Sequence, residues 1–73
     1  MSKKWSIGVV VPVGGSAKNS LGEWVEGGDT GLIGLNLNGA KGHENAIFIH
    51  STDEKFASLV CDALEKIGEP DDA

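Results

Sequence analysis

The stretch VPVGGSAKNSLGEWVEGGDTG, residues 11 to 31, concentrates glycine where a phosphate could be held, with six of the chain's eleven glycines beside Lys18 and Asp29. A phosphate cradle needs successive backbone N–H groups aimed at one point, usually where a strand runs into a helix. Gly14, Gly15, Lys18 and Ser20 do follow an apolar, strand-like run. They lack the GxxxxGK[ST] spacing, and LGEWVEGG does not continue as a helix. The glycines and Asn19 also suit a hairpin connection that needs positive φ angles, which is the stronger reading. Anion binding through Gly14, Gly15 and Lys18, with His50 adding positive charge, is the alternative. As a calcium loop, Gly27–Gly28–Asp29 fails for want of alternating oxygen side chains.

Other chemistry-bearing residues are weaker candidates. His50, Ser51 and Asp53 have the types of a hydrolytic triad, but they are sequence neighbours with no nucleophile elbow or oxyanion motif. Ser51 is better explained as a helix cap. Glu23 and Glu26, three apart on an extended chain, point to opposite faces and cannot share a substrate. Cys61 stands beside Asp62 rather than in a basic setting that would activate a thiol. His43 next to Glu44 reads as a loop residue. Two histidines and one cysteine, without CxxC or HxxxH spacing, do not compose a structural metal site. No enzyme activity, metal or cofactor is expected.

The elements that must position these residues are legible from periodicity. In STDEKFASLVCDALEKIGEP, Phe56, Leu59, Val60, Ala63, Leu64 and Ile67 repeat with helical spacing, predicting a helix over 53–67. Ser51 or Thr52 is its expected cap, Ser51 with Glu54 in a capping box. Gly68 and Pro70 end it, leaving 69–73 as a frayed acidic tail. Cys61, about 130° round from the stripe at ~100° per residue, is expected to be partly exposed.

Upstream the period is two. Trp5, Ile7, Val9, Val11 and Val13 share one face, with Ser6, Gly8, Val10 and Pro12 on the other. Ile33, Leu35 and Leu37 alternate with Leu32, Gly34 and Asn36; Ile47 and Ile49 alternate with Ala46, Phe48 and His50. NGAKGHE between these two runs is of hairpin type, and residues 22–26 are compatible with a further short strand. The reading is one α+β domain over residues 1–73: a small antiparallel sheet of three to four strands packed on one C-terminal helix.

Composition narrows the function. A net charge of −5 without any arginine argues against direct nucleic-acid binding. No stretch approaches the ~20 apolar residues of a membrane span. The apolar opening run is short, broken by Gly8 and Pro12, and needed for the core, so it does not read as a secretion signal. A lone thiol suits the cytoplasm. A chain of 73 residues buries a marginal core, and without a disulfide or metal it gains stability by associating. If the helix covers the odd-numbered face, the even-numbered face shows Val10, Pro12, Leu32 and Phe48, a patch suited to a protein partner. Trp24 lies outside both alternating sets and is a candidate anchor. The expectation is a non-enzymatic protein-interaction module. It would be a small cytoplasmic inhibitor, adaptor or regulator of the kind viruses of bacteria encode, acting through the open sheet face or an edge and forming a homodimer or higher oligomer.

Overall fold

The computed structural model describes residues 4–38 and 44–67. The loop 39–43, including His43, and the expected tail 69–73 with its Gly68 stop lie outside the described residues. Five strands precede one helix: β1 (Trp5–Val11), β2 (Ser16–Lys18), β3 (Trp24–Glu26), β4 (Leu32–Leu37), β5 (Ile47–Ile49) and α1 (Glu54–Ile67). β1, β4 and β5 form an antiparallel sheet in that spatial order, and β2 pairs with β3 as a separate antiparallel ribbon. The fold is α+β, as the change of period from two to 3.6 implies. Residues 24–26 do form a strand, but in the ribbon rather than the main sheet.

The alternation of β1 holds only as far as Ile7. Trp5 stands opposite Leu37 and Ile7 opposite Leu35, but then Val9 stands opposite Gly34 and Val10 opposite Ile33. Two residues, Gly8 and Val9, therefore face one, which is a β-bulge. A one-residue step reverses the faces of everything after it. Val10 joins Ile7 on the helix side, packed against the core of Trp5, Ile33, Leu35, Leu37, Ala57 and Cys61. Val9 and Val11 turn to the second side, and both are buried there outside that cluster. Val10, expected on the second face, thus belongs to the first.

The second side is not left open. The β2–β3 ribbon folds back with β2 against β1. Its central pair, Ala17 and Val25, is half-buried while Ser16, Lys18, Trp24 and Glu26 are exposed. The ribbon's base is clamped by Gly14 N–H to the Gly28 carbonyl and Gly27 N–H to the Gly15 carbonyl, both 2.9 Å. The glycines of the opening stretch thus serve chain reversal. Gly14 has φ 73° and open space where a side chain would stand, so its role is conformational.

The helix starts one residue later than predicted and with a different cap. Asp53 Oδ1 accepts from Lys55 N–H at 3.0 Å and Phe56 N–H at 3.3 Å, and the Asp53 carbonyl takes the first intrahelical bond from Ala57 N–H. Asp53 is therefore the N-cap. Ser51 Oγ accepts from Asp53 N–H, ordering the approach rather than the cap.

α1 lies over β1 and β4 but is rolled away from its apolar stripe. Ala57 and Cys61 are buried, Val60 and Leu64 pack at the margin, and Phe56, Leu59 and Ile67 are exposed. Taken together, Ala57, Val60, Cys61 and Leu64 are centred about 80° from the stripe at ~100° per residue. Trp5 supplies the reason. Its ring is fully buried in the same cluster as Ala57 and Cys61, and small residues above it let the helix approach. Cys61, expected to be partly exposed, is 4% exposed.

Candidate interaction surfaces

The anion reading is tested by its donors. Gly14 N–H is held by the Gly28 carbonyl and Gly15 N–H by the Pro12 carbonyl at 3.0 Å, so neither is available to converge on a phosphate. Lys18 and Trp24 are cross-strand partners, and the Lys18 ammonium stands 5.3 Å from the Trp24 ring centroid, a cation–π contact on an exposed ribbon. His50 is exposed just after β5, and nothing joins it to Ser51 Oγ, which receives the Asp53 N–H. The residue types of a triad are present there, but Asp53 caps the helix and Ser51 orders its approach. Among the described residues, no three of His, Cys, Asp and Glu gather as metal ligands. Glu23 is absorbed by the ribbon turn, its N–H donating to Asn19 Oδ1 and its carbonyl accepting from Asn19 N–H.

The residues expected to form one apolar patch are dispersed. Val10 is packed on the helix side, Leu32 is half-buried, and Pro12 is exposed beside the ribbon base with its carbonyl bonded to Gly15. Phe48 remains 46% exposed, opposite Gly34 in the ladder. Much of the remaining second face is polar. Asn36 Oδ1 accepts from Asn45 N–H at 2.8 Å and from Asn45 Nδ2 at 3.1 Å, and Asn45 Oδ1 accepts from Asn19 Nδ2 at 2.9 Å. Asn19 Oδ1 in turn accepts from Leu21 and Glu23 N–H, both at 3.0 Å. Three asparagines thus tie the ribbon turn to the sheet. The close glycines make room for them: a Cβ on Gly8 would overlap the Asn36 side chain, and one on Gly34 would stand 2.5 Å from Asn45 Nδ2.

Two other surfaces emerge. The first is the outer side of α1, where Phe56, Leu59 and Ile67 are 48%, 66% and 78% exposed, with exposed Ala63 between them. These residues have the 3-4-4 spacing of a straight seam. Sequence reasoning found the stripe but assigned it to the core. The available counter-signal was a second small set, Ala57 and Cys61, four apart on the neighbouring face. Trp24 and Leu21, on the ribbon, are also mostly exposed.

The second surface is the outer edge of β1, an end strand of the sheet order. Between it and α1 opens a cleft of about 220 Å³ lined by Trp5, Ser6, Ile7, Ser58 and Cys61. Trp5 N–H reaches across to Glu65 Oε2 at 2.8 Å. The Trp5 indole N–H is buried and has no hydrogen-bond partner.

No described helix is long and apolar enough to cross a membrane. No family model, curated protein or solved structure matches the chain.

Proposed function

We propose that the chain is a non-enzymatic protein-interaction module, a small cytoplasmic inhibitor, adaptor or regulator. One observation supports this above the rest: Phe56, Leu59 and Ile67 form an apolar seam on α1 that the protein's own core leaves uncovered. Side chains of this size are normally buried when they fall on one helical face, and a contiguous exposed set marks an interface. The core beneath is small, since Ala57 and Cys61 are the fully buried helix residues. A partner on the seam would contribute the burial that a chain of this length lacks. A second copy is the first partner to test, because both would gain from the same contact.

The test compares wild-type protein with a Phe56→Ser/Leu59→Ser double variant. Light scattering gives the solution mass, and capture from host lysate follows. The wild type is expected to associate and the double variant to lose association while far-UV circular dichroism keeps its helical signal. Association that survives in the double variant removes the seam as the contact. A Trp24→Ala variant run beside it reports whether the ribbon takes part.

A further inference from the structure

The backbone of β1 carries unpaired hydrogen-bonding groups at a defined position. Asn38 N–H donates to the Lys4 carbonyl, which fixes that residue pair as one that bonds inward. Antiparallel pairs alternate between inward-bonded and outward-facing. With Trp5 opposite Leu37 and Ser6 opposite Asn36, the outward-facing residues are Trp5 and Ile7. Trp5 obeys this, since its N–H leaves the sheet for Glu65 on α1. Ile7 N–H and C=O therefore point out of the sheet together, beside the cleft that Trp5, Ser6 and Ile7 share with Ser58 and Cys61 of the helix.

From this geometry we propose that the β1 edge, under α1, receives an extended basic segment of a protein partner as an added strand. The partner residue opposite Ile7 bonds both of its outward groups, and a neighbouring side chain enters the cleft. An extended main chain offers a donor and an acceptor at the spacing Ile7 requires, and continues along the edge. The groove between strand and helix supplies the side-chain selectivity that a bare edge lacks. Charge selects the sign. Glu65 stands at the Trp5 end of the cleft, in a chain of net charge −5. A second copy at this edge would set a further net charge of −5 against the first, which disfavours it. The bulge at Gly8–Val9 interrupts the edge, so the added ladder is short and the cleft contact is needed for affinity.

This rests on reading the chain as a protein-binding module and adds a surface apart from the α1 seam. The experiment uses the full chain and a random dodecapeptide library displayed on phage. Selected peptides are synthesised and followed by amide hydrogen exchange and by titration against wild type, Ile7→Pro and Phe56→Ser/Leu59→Ser. Selected peptides are expected to carry net positive charge and to slow Ile7 amide exchange at least about tenfold. They should bind Ile7→Pro at least about tenfold more weakly and the seam variant unchanged. Proline at Ile7 removes an outward N–H and leaves the inner ladder intact. Should that variant fail to fold by circular dichroism, chain synthesised with an N-methyl group on the Ile7 amide replaces it. The proposal is overturned if the library yields no binder, if binders are indifferent to the loss of the Ile7 donor, or if Ile7 exchange is unchanged. Concentration-dependent protection of Ile7 with a doubled mass and no peptide present also overturns it, in favour of a second copy. Loss of binding in the seam variant alone overturns it and leaves the α1 reading standing.

Discussion

Asn19 and Asn45, distant in sequence, meet through a 2.9 Å hydrogen bond from Asn19 Nδ2 to Asn45 Oδ1, and this contact fastens the β2–β3 ribbon turn to the main sheet. Asn45 is 8% exposed, has φ 53°, and donates through both its backbone N–H and its side chain to Asn36. Asparagine tolerates the left-handed region better than other side chains do. Asn45→Ala loses two side-chain hydrogen bonds, strains the backbone, and leaves Asn36 and Asn19 short of partners. The expected loss of stability is about 2–4 kcal/mol in urea unfolding. Asn45→Gly removes the same amide without the strain and should be less damaging by about 1 kcal/mol. Equal effects of the two would mean that the backbone angle contributes nothing.

The same amide dictates its neighbour. A Cβ on Gly34 would stand 2.5 Å from Asn45 Nδ2 and 3.0 Å from Val9 Cγ1. Gly34→Ala is expected to cost about 1–3 kcal/mol because two packed side chains must move. In an Asn45→Gly background the main obstacle is gone, so the added methyl should cost less, giving a coupling of about 1 kcal/mol in a double-mutant cycle. Additivity between the two changes would place the strain on Val9 instead.

What the sequence conveyed, and where it stopped, can be traced to single residues. The types of β1, β4, β5 and α1 followed from periodicity, with α1 predicted to within one residue at its start, whereas β2 fell in a stretch read as a connecting loop. The β1 face was misread from Val9 onward because strict alternation was carried through Gly8. A glycine inside a strand is a recognised sign of a bulge, but only the partner register shows whether one is present. The roll of α1 was hidden for a different reason. Hydrophobicity favours burying Phe56 and Leu59, whereas Trp5 beneath the helix leaves room only for Ala57 and Cys61. The suspected Val10–Pro12–Leu32–Phe48 patch lost Val10 through the bulge, while Leu32 and Phe48 do lie on the second side. The β1 edge site depends on the alternation of inward and outward amides, which needs the pairing register.

The reassigned helix cap can be checked directly. Asp53→Ala removes the acceptor for Lys55 and Phe56 N–H and the negative charge at the helix start. It is expected to destabilise by about 1 kcal/mol, within a range of about 0.5–2. Ser51→Ala removes a single acceptor one step outside the helix and should cost less than half as much. The reverse order of effects in thermal or urea unfolding would restore Ser51 as the cap.

Burial of Cys61 makes a kinetic prediction. At 4% exposure beneath α1, the thiol can meet a bulky disulfide reagent only when the helix lifts from β1 or the chain unfolds. Its reaction with Ellman's reagent should therefore be about 100-fold or more slower in the native protein than in urea. Destabilising the cap with Asp53→Ala should speed the native reaction about fivefold for about 1 kcal/mol of stability lost, because opening precedes attack. The cleft beside Ser58 is the path by which a small reagent would arrive without unfolding. If native Cys61 reacts as fast as the unfolded thiol, α1 is not seated on Trp5 as described, and the exposure of Phe56 and Leu59 loses its structural basis.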